Sequence, residues 1–441
     1  VIRGTNRAKT YLSTRVGGAL TVDKKTNALV IALCLCLSFS FTSLAKTTIT
    51  YQYNWYAVTT PGYNEAFQLL IDTFNRSQDE IFVDGYVVQG TDQRLLTAIA
   101  GGVQADVVHF ESSSVIEWVA RGLIEPIDDV LSVDYVQRNY FPAEAAEVIW
   151  NGRVWAVPGY ANARGLFWNV NILDEVGMDS TRGPSSIAEL EELGRKALKT
   201  DSDGRIVRLG FAPWLGGVYP AGWFWSFGGE IYDPSTGLPT LEHEGNVRAW
   251  EWVREWAQRY PTGQYSLVAR RTSGAAGYFV DGSLAATTAA DNSVKTYITI
   301  APDLVFRTGE IPHAEGGRNG TWGGGVGHII PKGTKHPKEA KEFMRWIALE
   351  GMWILYQQLE QFPPHRQLAD RAIRQLDRND LRLPLFLQME VRNPRPPLWA
   401  HVIRRLISEE NKIISGTANP REVLANLQRE VLPMYQALQS D

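Results

Sequence analysis

From Thr48 onward the chain alternates short runs patterned for strands with longer runs patterned for amphipathic helices, and this rhythm most limits the folds open to it. Thr48-Ile49-Thr50-Tyr51-Gln52-Tyr53 alternates apolar and polar residues at the period of a half-buried strand. After a loop from Asn54 to Gly62, residues Tyr63, Ala66, Phe67, Leu70, Ile71 and Phe74 share one helical face, which should pack against a sheet. Ile81 to Val88 reads as a second strand. Arg94 to Ala100 reads as a helix closed by Gly101-Gly102, and Ala105 to Phe110 as a third strand. Strands alternating with helices predict an α/β chain with a largely parallel sheet.

The rhythm returns later with other lengths. Ser186-Ile187-Ala188-Glu189 has the form of a capping box opening a helix through Leu198, and Leu209 to Ala212 reads as a strand. Asn246 to Arg259 is helical, with Val247, Trp250, Val253 and Trp256 near one face as core residues. Pro337 and Asn419-Pro420 mark the starts of two further helices, the first carrying Ala340, Phe343 and Ile347 inward. No repeat, low-complexity tract or Pro/Ser-rich linker separates these parts.

Ahead of this pattern, Lys24 and Lys25 precede an apolar run from Ala28 to Phe41 and the small-residue site Ser43-Leu44-Ala45. The run is shorter than the ~20 apolar residues of a membrane span and reads as a signal peptide cleaved after Ala45. Cys34 and Cys36, the only cysteines, lie inside it, so the mature chain has no disulfide, thiol nucleophile or Cys metal site. Leu33 and Leu35 precede the cysteines where a lipoprotein signal needs small residues. Loss of residues 1–45 removes six of 44 Lys/Arg and one of 48 Asp/Glu, leaving 38 against 47 and a formal charge of −9. Such a surface disfavours nucleic acid and anionic membrane as partners. The remaining 396 residues exceed what one core supports, which predicts two domains; without a linker, the chain should cross between them more than once. All fifteen tryptophans survive processing, which favours aromatic-lined sites.

Catalytic and cofactor motifs are missing. The seven histidines are scattered without H-E-x-x-H spacing, so no metal site is expected. There is no G-x-S-x-G elbow, Walker loop or G-x-G-x-x-G, and Gly323-Gly324-Gly325-Val326-Gly327 has the wrong spacing for a phosphate loop. No cofactor and no catalytic residue are assigned. The enzyme that stays open is a secreted glycoside hydrolase, which needs only two carboxylates about 5 to 9.5 Å apart.

Several blocks, taken in order, carry a family resemblance: Ala100-Gly101-Gly102 with Ala105-Asp106-Val107-Val108, Gly152 to Pro158 leading to Phe167-Trp168-Asn169, Gly183 to Leu190, Pro337 to Phe343, and Arg395-Pro396-Pro397-Leu398-Trp399. Over residues 47 to 435 the chain resembles extracellular solute-binding proteins of ABC importers, in the carbohydrate-binding group (family 1) that includes maltose-binding protein. The resemblance implies a periplasmic binding protein type II fold: two α/β lobes, several hinge crossings and a ligand cleft between. It implies lobe one as 46–157 plus 314–360 and lobe two as 158–312 plus 361–441, with crossings near Pro158 to Asn162, Phe306 to His313 and Gln361 to His365. It further implies a periplasmic monomer that captures a sugar or oligosaccharide and delivers it to a membrane permease. A binding protein for glycerol 3-phosphate or a related phosphodiester is the alternative within the class.

Ligands of open α/β sheets bind at strand carboxyl ends. Trp55 and Tyr56 follow the first strand and either stack on a sugar or tuck onto their own lobe; Gln89 follows the second, and Glu111 and Ser112 the third. Glu111 is favoured because a carboxylate accepts from adjacent hydroxyls. Tyr160 and Asn162 lie at the first crossing, Trp214 follows the Phe211 segment, and Trp223 is read as facing the cleft. Asp291 ends an apolar run, as a hydroxyl acceptor or a turn residue. Trp322, with Gly323 beside it in a glycine-rich run, is the strongest single candidate, since glycines let a ligand approach the backbone. Arg366 and Arg395 either clamp an anionic ligand or form salt bridges within lobe two.

Overall fold

The structure is a computed structural model and describes residues 46–54, 62–88 and 92–439. The signal segment expected over 1–45, and the candidates Trp55, Tyr56 and Gln89, lie outside the described residues.

Thr47–Asp441 forms a unit of its own, built on two main sheets. The first sheet has the order Ile81–Val88, Thr47–Asn54, Val107–Glu111, Val326–Pro331, Ile124–Glu125, with Val157–Pro158 also paired to Val326–Pro331. Thr47–Asn54 runs parallel to both of its neighbours, Tyr51 facing Gly85 and Val107. Val326–Pro331 is antiparallel to all three strands it meets. The sheet is therefore mixed, not largely parallel as expected, because its central return strand comes back from the second sheet instead of through a helical crossover. The helix Tyr63–Ser77 buries the six residues of its predicted apolar face. Gly62 before it adopts φ 79°, where a side chain would be strained.

The second sheet has Arg164–Asn169 at its centre, with Ala286–Ala290 and Phe306–Gly309 antiparallel on either side. Four helices, Pro220–Ser226, Glu244–Arg259, Trp399–Ile414 and Pro420–Leu438, build a tryptophan-rich core against it, with Trp223, Trp250 and Trp256 almost fully buried. The N-cap half of the box forms, Ser186 accepting from the Glu189 amide at the start of Ile187–Lys196, while the Glu189 carboxylate accepts from the Ser185 amide, one residue earlier. The strand expected at Leu209 to Ala212 does not form; the strand is Ile206–Arg208, and Leu209 makes one bridge to Leu284. Gly210 abuts the Leu193–Gly194 backbone and the Phe211 carbonyl accepts from Trp256 Nε1 at 3.1 Å, which pulls this segment onto the helices.

Apolar side chains fall into two clusters. One fills the first sheet and continues onto Phe167, Phe279, Tyr297 and Phe306, and the other holds Leu166, Trp168 and the tryptophan-rich helices. Successive strand residues point to opposite faces, so Leu166 and Phe167 divide between the two. Three segments run side by side where the chain passes between sheets. Gly159 N–H donates to Val326 O at 2.7 Å, Ala161 N–H to Phe362 O at 2.8 Å and Asn162 N–H to Gly324 O at 3.2 Å. Residues 314–323 still bond to the helical side, Ala314 to Ser226, Arg318 to Trp225 and Gly323 to Asn393. The chain then enters the first sheet as the strand Val326–Pro331.

Candidate functional site

At the carboxyl edge of the first sheet, four chain segments meet around Arg395. Nε and Nη2 of this guanidinium donate to the two oxygens of Glu147 at 2.8 Å each, Nη2 also to Ser112 Oγ at 2.8 Å, and Nη1 to Glu111 Oε1 at 2.6 Å. Glu147 comes from the helix Pro142–Val148, and Ser112 Oγ donates back to it at 2.6 Å. Burial works against the charge on Arg395, but Glu147 and Glu111 hold it charged and raise its pKa. One turn earlier on that helix, Glu144 pairs with fully buried Arg392; burial raises the Glu144 pKa and the Arg392 charge opposes the rise. Two arginines and three glutamates thus make up this floor, and each arginine is paired.

Above it stands Trp322, 3% exposed. Tyr219 stacks on it with centroids 5.9 Å apart and Trp399 meets it at 5.2 Å. Arg164 lies over its ring, Cζ 3.1 Å from the centroid, a close cation–π contact. Arg164 donates from Nε to Gly217 O at 3.1 Å and from Nη1 to Asn162 Oδ1 at 3.0 Å. Burial and the nearby Arg395 pull its pKa down to about 9. Part of Arg164 stays accessible, as do Asn162, Trp214 and Tyr219 around it.

Two cavities adjoin this array. The larger, about 690 Å³, reaches Arg395 and is walled by Trp150, Trp225 and Tyr232, with Glu230, Asp233, His243 and Arg318 as polar groups. Its size is within the range that holds small ligands. The smaller, about 140 Å³, lies beside the crossings and is lined by Tyr160, Asn162, Asp291, Lys295, Glu360 and Arg382 among others. Burial raises the Asp291 pKa to about 6, against the pull of Arg164. Among the described residues no group of three or more His, Cys, Asp or Glu could hold a metal ion, and no helix is long and apolar enough to cross a membrane.

Of the residues singled out from sequence, Glu111, Ser112 and Arg395 are in direct contact, Asn162 and Trp322 are joined through Arg164, and Tyr160, Asn162 and Asp291 share the smaller cavity. Gly323 donates its N–H to Asn393 O at 2.8 Å and leaves no room for a side chain against Ala143. Trp214 is half-buried at the rim of the tryptophan core. Three expectations change. Trp223 does not face the cleft: it is fully buried, edge-on to Phe211, with Nε1 donating to Pro213 O at 3.0 Å. Arg366 pairs with Glu390, bonds the Arg138 carbonyl and lies over Phe141, so it is no free clamp. Arg395 is likewise consumed by its two carboxylates, which come from the first sheet and its helix rather than from lobe two.

Sequence reasoning missed Arg164, Glu147, Tyr219, Trp150 and Trp225. The signal for Arg164 was an arginine opening the otherwise apolar strand Arg164–Asn169 two residues after a named candidate. Glu147 had no such signal, because its partner is 248 residues away.

Comparison with known proteins agrees with this architecture. Residues 57–352 match the family model described as bacterial extracellular solute-binding protein. A cyclic alpha-maltosyl-1,6-maltose binding protein from Arthrobacter globiformis superposes with a TM-score of 0.72 at 17% identity, covering 90% of this chain and 100% of that one. CpMnBP1 with mannotriose bound gives 0.70 at 24% identity, covering 87% and 100%. A maltotriose-binding protein of Pyrococcus abyssi is 21% identical over 208 residues, 47% of this chain and 43% of that protein. These solved structures share the two-lobed α/β fold of type II periplasmic binding proteins.

Proposed function

The chain belongs to the bacterial extracellular solute-binding proteins, and from that premise we propose that it captures a carbohydrate between its two lobes and delivers it to an ABC-type membrane permease. The observation that carries the reading is the array at the lobe junction: Trp322 set between Arg164, Tyr219 and Trp399, directly above the Glu111–Arg395 pair. Aromatic rings supply the flat apolar surface that a sugar ring needs, and the hydroxyl-binding groups Asn162, Asp291 and Tyr160 stand beside them. The relatives named above bind mannotriose, a cyclic maltosyl-maltose and maltotriose, which supports an oligosaccharide as ligand.

In this reading lobe one is 46–157 with 326–360 and lobe two is 158–325 with 361–441, the second crossing moved to where the chain enters the first sheet. The protein is a monomer of the periplasm, released by cleavage after Ala45. It carries out no reaction: Glu111, Glu144 and Glu147 are each tied to an arginine, which leaves them poorly placed as the acid and nucleophile of a glycoside hydrolase.

The test is thermal shift of the purified protein against mono- and oligosaccharides, polyol phosphates and glycerophosphodiesters, with product analysis of each hit. A ligand that binds only the folded state raises the melting temperature. A saturable rise with a sugar recovered unchanged is the expected result; a consumed sugar sinks the binding-protein reading.

A further inference from the structure

Counting charges around the junction isolates one group. Arg392 has Glu144, Arg395 has Glu147 and Glu111, and Arg318 on the larger cavity has Glu230 at 2.6 Å. Arg164 has no ion pair among the described residues. Its two side-chain acceptors, Gly217 O and Asn162 Oδ1, are neutral, and Nη2 makes no hydrogen bond among the described residues. Asp291 is the acid that acts on it from a distance; it forms no ion pair with it, and with burial raising its pKa to about 6 it carries its charge only above that pH.

A largely buried guanidinium with no direct ion pair is costly, and Arg395 nearby adds repulsion. The rest of the surroundings hold Arg164 in place instead of neutralising it. Trp322 lies against the guanidinium, Gly217 and Asn162 hold Nε and Nη1, and Nη2 makes no hydrogen bond among the described residues, while part of the residue stays accessible. A rigid fork with a free edge is the geometry that binds a carboxylate or phosphate.

We propose that Arg164 receives an oxyanion of the ligand, so that the captured carbohydrate is an acidic one, bearing a uronate carboxylate or a phosphate. This rests on the carbohydrate reading above and narrows it. It gives the anion-binding role, one of two alternatives that the sequence left open for Arg366 and Arg395, to the junction cation that makes no ion pair among the described residues.

The experiment measures binding by calorimetry for matched pairs: oligogalacturonides against the corresponding neutral galacto-oligosaccharides, with glycerol 3-phosphate and inorganic phosphate as further probes. Wild type, Arg164→Gln and Arg164→Lys are compared. A charged hydrogen-bonded contact of about 1.5–3 kcal/mol corresponds to roughly 10- to 150-fold in affinity. Acidic ligands should exceed their neutral partners by about that factor, R164Q should lose it, R164K should lose part of it, and added salt should weaken only the acidic series. The melting temperature of ligand-free R164Q should hold or rise, because an uncompensated charge is gone. Equal affinity for neutral and acidic partners in the wild type overturns the proposal and leaves the carbohydrate reading standing, even if R164Q fails to fold. Binding of glycerol 3-phosphate or phosphate alone, lost in R164Q, supports the oxyanion site and overturns the carbohydrate reading. No binding to any probe overturns both.

Discussion

Replacing Arg395 by methionine should cost the protein far more than a surface arginine would. The side chain is 6% exposed and Glu147 is 1% exposed, so the substitution leaves a carboxylate in the interior with only Ser112 Oγ still donating to it. It also removes the second contact, to half-exposed Glu111, and the bond to Gly325 O at 3.3 Å on the crossing segment. Removing one member of a buried ion pair costs about 3–5 kcal/mol, most of it the stranded charge. For a unit of this size that is a fall of about 4–6 °C in melting temperature. Equilibrium urea unfolding of the ligand-free protein near pH 7.5 measures it, with Glu147→Gln and the double variant completing a cycle. If the stranded carboxylate causes the loss, E147Q placed in the R395M background recovers stability, and the double variant lies well above the sum of the single losses. A loss below about 1 kcal/mol for R395M, or strictly additive single effects, would show that the bonds in the structure do not couple these residues.

Other consequences follow from the same groups. The Asp291 pKa is raised by burial from 3.8 to about 6, so its contribution to stability is fully present below about pH 3.8 and is lost as pH rises through 6. Asp291→Asn should remove a loss of at most about 3 kcal/mol between pH 4 and 7; equal pH slopes for the two proteins would contradict this. Glu410, on the helix Trp399–Ile414, is buried with Oε1 unpartnered among the described residues and its pKa raised to about 8. Its contribution falls as pH climbs from 4.5 through 8, so Glu410→Gln should be more stable than wild type at pH 8.5 by about 1–3 kcal/mol in chemical denaturation; a less stable variant would point to a bond that the carboxylate makes. Trp223→Ala and Trp322→Ala should each lose about 3–5 kcal/mol. The milder Trp223→Phe should leave the ligand-induced thermal shift intact while Trp322→Phe reduces it, and the opposite ranking would put the ligand elsewhere.

Local elements were readable from sequence where one helix or strand decides its own state. The face Tyr63 to Phe74, the box at Ser186, the N-cap Asn419 and the tryptophan face of Glu244–Arg259 all depend on residues within a turn or two of each other. Leu209 to Ala212 misled because its pairing stops short: Leu209 and Gly210 bond the 283–286 segment beside the second sheet, and the Phe211 carbonyl then turns to Trp256 Nε1. The site divides the same way. Trp322 could be found from its glycine neighbours, and Glu111 and Ser112 from their place after a strand. The fate of Arg366 and Arg395 could not, because their partners Glu390, Glu111 and Glu147 are 24 to 284 residues away. Trp223 resembles a cleft residue in sequence and becomes core because Phe211 and Trp252 close over it.

The junction thus separates two uses of arginine that sequence cannot tell apart. Arg392 and Arg395 link segments far apart in the chain, and their carboxylates arrive from a helix of the first sheet, so they fasten the base of the cleft whether or not a ligand is present. Arg164 sits at the start of the second sheet's central strand, just past the crossing, and takes its neighbours from the 213–219 loop and from Trp322. A ligand shifts a hinge equilibrium only through contacts that differ between its states. Groups already neutralised have little further to gain from a ligand, whereas a cation without a partner gains most from the arrival of an anion. On this physical ground the closing force of the proposed receptor is concentrated at Arg164 and its stacked tryptophan, and the paired arginines beneath supply the rigid surface against which that contact is made.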